Sequence, residues 1–244
     1  DMGDIEIWEM AEPLLYLGRN VKANSGGYGK YRGGCGFETL RMVWKAKDWT
    51  MYFMGNGYMN SDWGLMGGYP SATGYRFEAH KTGLKERITT NDSLPLGADL
   101  NPSAYAYEKH IDATARVKRD KQAMTTEKCF EDYDLYLNYL RGGPGFGDPL
   151  DRDPAAIAND LNHGFLLPEY ARKVYGAVLL QNEKGVWSVD AEKTKTRRAE
   201  IRRERLRRAV PVKTWMRDER ERIVTKHASL PVRHMYVSGP GRLH

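Results

Sequence analysis

The sequence predicts an α+β fold of short antiparallel strands and glycine-rich turns, with helices late in the chain and an extended basic C-terminal arm. Three observations predict it. Apolar and polar residues alternate with period two in several short runs before residue 140. Glycine is abundant, 25 of 244 residues, and clusters between those runs. Helix signals concentrate after Asp148, where Asp148-Pro149 and Asp153-Pro154 pair an N-cap residue with a proline suited to the first helical position.

In chain order, Asp4, Ile5, Glu6 and Ile7 alternate acid with apolar, which predicts a half-exposed strand over Asp1 to Trp8. Pro13 interrupts, and Leu14 to Val21 reads as a second extended segment. A glycine loop, Ser25 to Gly36, follows. Phe37 to Trp44 alternates with Glu38, Leu40, Met42 and Trp44 on one face. Trp49, Met51 and Phe53 alternate again after a polar turn, so the two runs predict a β-hairpin. Gly55 to Pro70 is glycine-dense. Arg76 to Glu86 reads as strand and turn, and Asn91 to Pro102 as loop. Tyr105 to Met124 is mixed and charged, and it leans towards helix. Tyr133 to Tyr139 alternates as a strand leading into the loop at Gly142.

The densest text runs from Arg141 to Leu180. Gly142, Gly143, Gly145 and Gly147 flank Pro144, a loop that small or fixed-φ residues favour. Ala155, Ile157, Ala158 and Leu161 give an amphipathic helix closed by Gly164. Pro168 opens a second short helix, Glu169 to Tyr175, closed by Gly176. Ala177 to Leu180 reads as a short buried strand. Asp190 can cap a helix running to about Arg208, with Pro211 as its stop.

Composition excludes several classes. No apolar run reaches the length of a membrane span. The N-terminus carries no basic, then apolar, signal-peptide pattern. Cys35 and Cys129 stand far apart with no CxxC, which fits two reduced thiols and a cytoplasmic setting. The chain starts without Met, in strand-like text, and reads as a piece of a longer polypeptide. Lys193 to Arg222 holds thirteen Lys or Arg against five acids, a local charge of +8, whereas the whole chain carries +6. The basic character therefore belongs to the tail. Apart from Trp215 the tail lacks interleaved aromatics, and it has no zinc or helix-turn-helix signature. A subunit-docking arm anchored by Trp215 is the better reading, and nucleic acid is an unlikely partner.

Phosphate-loop templates fail. A GxGxxG pattern begun at Gly27 meets Arg32 in place of its last glycine. A Walker loop ending at Gly29-Lys30 would need glycine at Asn24 and Ser or Thr at Tyr31. The loop at Gly142 is followed by Asp148, the wrong sign for phosphate. The histidines form no HxxxH, HxH or HExxH, so the spacing identifies no metal ligand. His163, at a helix end beside Gly164, is the one catalytic candidate; a helix-terminal capping cation is the plainer account of it.

Three blocks resemble the hydantoinase B / oxoprolinase family. They are Ser25-Gly26-Gly27-Tyr28-Gly29-Lys30-Tyr31-Arg32-Gly33-Gly34-Cys35-Gly36, Trp63-Gly64-Leu65-Met66-Gly67-Gly68-Tyr69-Pro70, and Gly142 to Leu150 with Arg152, Asp153, Pro154, Tyr175, Gly176, Val178 and Leu179. Within that family the text is most similar to the C-terminal part of the α subunits of ATP-dependent ketone carboxylases.

The resemblance implies a subunit that helps carboxylate acetone with bicarbonate to acetoacetate, with ATP and manganese in the holoenzyme and other carboxylase subunits as partners. It implies that the manganese ligands lie upstream of Asp1 and that the fragment alone is inactive. Lys30 and Arg32 would then be candidates for facing an anion such as bicarbonate or a phosphorylated intermediate. Residues 1–182 would form the family domain, with 89–130 an insertion, and 183–244 a helical arm. An amide-ring hydrolase subunit and a structural assembly subunit remain the alternatives.

Overall fold

A computed structural model describes residues 3–53, 62–90, 111–112, 114–120 and 126–223. The chain divides into two compact units, Asp1–Arg198 and Ala199–His244.

The first unit is built on a five-stranded antiparallel sheet ordered β1-β2-β7-β4-β5. Its strands are β1 (Leu14–Val21), β2 (Phe37–Val43), β4 (Tyr75–His80), β5 (Arg116–Asp120) and β7 (Leu135–Tyr139). A separate pair joins β3 (Trp49–Phe53) to β6 (Thr126–Phe130). One sheet face carries the core: Leu40, Met42, Phe77, Ala79, Leu135 and Leu137 are buried together, with Leu84 and Ile111 over them. Leu84 belongs to α2 (Leu84–Thr89), where a strand and a turn were expected.

The expected hairpin between residues 37–44 and 49–53 does not form. β2 pairs with β1 and β7, and β3 pairs with β6. Chain segments β2–β3 and β6–β7 run antiparallel as one long ribbon, broken where Lys45 and Asp48 take φ of 57° and 52°. There the Lys45 amide donates to Asp132 Oδ1 at 2.7 Å. The β2–β7 and β3–β6 pairings join residues on the order of ninety positions apart, beyond what local alternation reveals.

The N-terminal strand is also overturned. Residues Ile5–Ala11 form helix α1, with the Asp4 carboxylate accepting from the Glu6 amide. Ile7 and Trp8 are both exposed, so the alternation tracked no burial, and the local cap decided the conformation. The helix expected over 105–124 meets strand β5 at Arg116–Asp120; the described remainder is turn and loop, and residues 105–110, 113 and 121–124 lie outside the described residues. β5 is an edge strand, where charged side chains are suited to strand pairing on one side and water on the other.

The helices after Asp148 form as the caps dictate. The Asp148 carboxylate accepts from the Leu150 amide above a 3₁₀ turn at Pro149–Asp151, and that of Asp153 accepts from Ala155 to open α3 (Pro154–Asn162). Helix α4 (Pro168–Lys173) follows. Gly164 and Gly176 take φ of 73° and 60° as helix stops. Ile157, Leu161, Leu166, Ala171 and Tyr175 form a second core cluster. The short strand is Leu179–Gln181 (β8), paired with β9 (Trp187–Val189), and Leu180 is exposed rather than buried.

α5 runs from Ala191 to Arg208. Its first turns are fixed by buried Thr194, whose hydroxyl accepts from the Val178 amide, and by Arg198, which donates to the Tyr175 and Arg152 carbonyls. α5 ends at Arg208, ahead of Pro211, as expected, and a further helix follows. Pro211 caps that helix, α6 (Val212–Arg222), as a residue with a fixed φ near the helical value can.

Candidate functional site

The three glycine blocks converge on one another. Gly27 donates to the Gly143 carbonyl at 2.8 Å, Gly143 to Gly34 at 2.9 Å, Gly145 to Tyr69 at 3.0 Å and Gly147 to Leu65 at 2.9 Å. Tyr31 and Phe146 exchange both backbone bonds at 3.0 and 2.9 Å. Packing explains the composition: a Cβ on Gly33 would run into the Gly143 carbonyl, and one on Gly145 into that of Tyr28. Gly147 alone in the 142–147 loop takes positive φ, 75°. The amides of Gly27, Gly33, Gly143, Gly145 and Gly147 are therefore already donating to carbonyls.

Beside this junction, Tyr28 stacks on Tyr170 and meets Tyr69 and Tyr175 edge-on. Burial pushes the Tyr28 phenol well above its ordinary range and the Tyr175 phenol up to about 12, so both stay neutral.

Arg32 is paired with a carboxylate of its own chain. Its Nε and Nη2 donate to both carboxylate oxygens of Asp160 at 2.9 Å, and Arg152 Nη2 reaches the same carboxylate at 2.6 Å. This hydrogen bonding raises the Arg32 guanidinium's affinity for its proton despite the cost of burial. Lys30 is exposed, with Nζ 5.5 Å from the centre of the Tyr31 ring. His163 is the C-cap of α3; its Nδ1 lies 2.8 Å from the Asn159 carbonyl and its ring stacks on Phe165. That places it as a helix cap. Trp215 projects from α6 and is 55% exposed. The structure thus keeps Arg32 beside Lys30, and the Arg32 guanidinium lies 5.2 Å from the centre of the same Phe165 ring on which His163 stacks.

A group that spacing missed lies at the end of β4. His80 and Glu78 occupy one strand face, and Asp134 approaches from 54 residues away. His80 Nδ1 is 2.7 Å from Asp134 Oδ2, and Nε2 is 3.7 Å from Glu78 Oε2. Asp134 also accepts from the Lys81 and Glu131 amides. Hydrogen bonding to Asp134, then to Glu78, pushes the His80 imidazole up to about 9 against the pull of burial. It is therefore a fixed cation at neutral pH, able to donate but not to act as a base. It lines a cleft of about 560 Å³ with Glu78, Arg116, Phe130 and Asp134. The one signal in the sequence was the i, i+2 pairing of Glu78 and His80 on a strand.

Among the described residues no group of three or more His, Cys, Asp or Glu side chains is placed to hold a metal ion. None of the described helices is long and apolar enough to cross a membrane.

Comparison with known proteins gives the wider setting. The family model for hydantoinase B/oxoprolinase matches residues 1–149. The chain is 60% identical over 238 residues to the acetone carboxylase alpha subunit of Xanthobacter autotrophicus, covering 98% of this chain and 30% of that protein. It is 28% identical over 211 residues to the acetophenone carboxylase delta subunit of Aromatoleum aromaticum, covering 84% of this chain and 29% of that protein. A nucleotide-free structure of acetone carboxylase superposes with a TM-score of 0.83 at 60% identity, over 96% of this chain and 31% of that one. The chain therefore spans under a third of the length of these relatives. With the three glycine blocks joined in one hydrogen-bonded junction and a family model covering more than half its length, this chain belongs to the hydantoinase B/oxoprolinase family.

Proposed function

We propose that the chain is part of the α subunit of an ATP-dependent ketone carboxylase that joins acetone and bicarbonate into acetoacetate. The observation that carries this reading is the 60% identity to an acetone carboxylase alpha subunit across 98% of the chain. In this reading the described residues are scaffold. The glycine junction and the Arg32–Asp160–Arg152 cluster hold the family domain in shape, and the basic helices serve assembly with the other subunits. As the resemblance implies, manganese and ATP would be bound by other parts of a cytoplasmic hetero-oligomer.

The test compares the purified chain with the co-expressed complex, supplied with acetone, bicarbonate and ATP. Acetoacetate forms only in the complex, and the dialysed chain alone retains no stoichiometric manganese. A complex that opens hydantoin or oxoproline rings without carboxylating acetone overturns the proposal.

A further inference from the structure

The sheet face opposite the main core carries a group of polar side chains beside a smaller apolar cluster of Leu14, Val43, Phe130 and Tyr136, and one register irregularity shapes that polar group. Tyr16 pairs with Arg41, but the next pair is Gly18 with Leu40, so β1 carries a bulge at Leu17. In an unbroken strand Tyr16 and Arg19 would point to opposite faces. The bulge shifts the register so that Arg19 pairs with Thr39, and Thr39 shares its face with Arg41. Tyr16, Arg19, Thr39 and Arg41 thus all lie on one face. Bulges commonly re-aim a side chain in this way.

The result is an unusual concentration of positive charge. The Arg41 guanidinium lies 4.7 Å from the centre of the Tyr16 ring, and the Arg19 guanidinium lies 5.5 Å from the same ring. Arg41 also approaches Tyr136, at 5.9 Å. Arg19 Nη1 donates to the Gly3 carbonyl at 3.0 Å. Among the described residues neither arginine forms an ion pair with a carboxylate. Glu12 lines the same cleft without pairing to either, and the Glu9 carboxylate accepts from the Tyr16 amide. Arg19 Nε, Thr39 Oγ1 and Arg41 Nε are shielded from solvent with no hydrogen-bond partner among the described residues. Two like charges against one ring, with buried donors unspent, are costly unless a counter-charge joins them.

We propose that the cleft bounded by Arg19, Arg41 and Tyr16 binds a small oxyanion of the carboxylate or phosphate class. Guanidinium groups suit such ligands because their paired N–H groups match two oxygens at once. Size limits the ligand: the cleft holds about 280 Å³, with Trp8 and Phe37 as apolar wall. That is below the span usual for drug-sized ligands, so a whole nucleotide is excluded and an anion of a few heavy atoms fits. The site is separate from the glycine junction and does not depend on the carboxylase reading.

The test is titration of the full chain with inorganic phosphate and, separately, with acetate, chloride being replaced at constant ionic strength. Calorimetry and thermal melting report binding. One of the two anions is expected to bind saturably, and which one does so assigns the site to phosphate or to carboxylate chemistry. R41Q and R19Q should each weaken that binding roughly tenfold or more, the loss of a charge-assisted hydrogen bond. R172Q, on α4, should bind as the parent does. If R41Q does not fold, R19Q and R41K carry the comparison. No saturable binding of either anion by the parent chain, or undiminished binding in both Arg19 and Arg41 variants, overturns the proposal.

Discussion

Arg32 and Asp160 are 128 residues apart in sequence and form a two-pronged ion pair, Nε to Oδ2 and Nη2 to Oδ1, each at 2.9 Å. The pair joins the first glycine block to helix α3. Arg152 shares the same carboxylate, and the Arg152 carbonyl in turn accepts from Arg198 of α5. A buried carboxylate so placed holds three chain segments in one arrangement.

Asp160→Ala should therefore be severely destabilising. It leaves two largely buried guanidinium groups without their counter-charge, which costs about 3–5 kcal/mol. Arg32→Lys should cost less, because lysine keeps the charge but not the fork. Urea denaturation of the three proteins checks the order; equal stability of Asp160→Ala and parent would refute the role assigned to the cluster.

The His80–Asp134 pair predicts a pH dependence. The folded-state value is raised above the ordinary 6.5 to about 9. The stabilisation from this pair is thus fully present below about pH 6.5 and is lost as pH rises through about 9. Solvent screening of the partly exposed imidazole reduces its size to on the order of 1 kcal/mol. The stability difference between parent and His80→Gln should shrink across pH 7 to 10. A difference constant over that range would show that the imidazole is not held as a cation.

The glycine junction makes a prediction by contrast. Gly33→Ala and Gly145→Ala would drive a methyl group into the carbonyls of Gly143 and Tyr28, and should cost about 1–3 kcal/mol. At Gly34 a Cβ meets nothing within 4 Å and no positive φ is required. Gly34→Ala should accordingly be neutral or stabilising by about 0.4–1 kcal/mol through the unfolded chain. Melting temperatures of the three variants report the order directly.

These cases mark what the sequence could reveal. Local chemistry was legible: Asp148 and Asp153 as caps, Gly164 and Gly176 as stops, and α5 from Ala191 to Arg208 all follow from residues a few positions apart. Long-range pairing was not. The partner of β3 is β6, the partner of Arg32 is Asp160, and His80 meets Asp134, each separated by a stretch that carries no record of the contact. Edge strand β5 escaped for a related reason. Its charged text suits a solvated helix as well as a strand paired on one side. Helix α1 shows the reverse error, where alternation over four residues was outweighed by one Asp cap.

The basic arm gives the last prediction. α6 carries Val212, Trp215 and Met216 within two turns, all exposed, and Leu206 and Val210 before it are exposed too. Its neighbours are largely arginines and lysines. An arm of this composition has too few large apolar groups for a core of its own, and ordering it costs roughly 1–2 kcal/mol per residue in backbone entropy. In the proposed assembly a partner subunit's acidic surface would supply the missing burial, with Trp215 as the anchor and arginines setting orientation. The cut that tests this must follow Arg198, since Thr194 and Arg198 are buried against the body. Truncation after Arg198 should leave the first unit folded by circular dichroism while weakening assembly with co-expressed subunits on size exclusion. Trp215→Ala in the full chain should reproduce much of that loss without changing the melting temperature of the isolated chain. Assembly that survives both changes would show that the arm holds no partner.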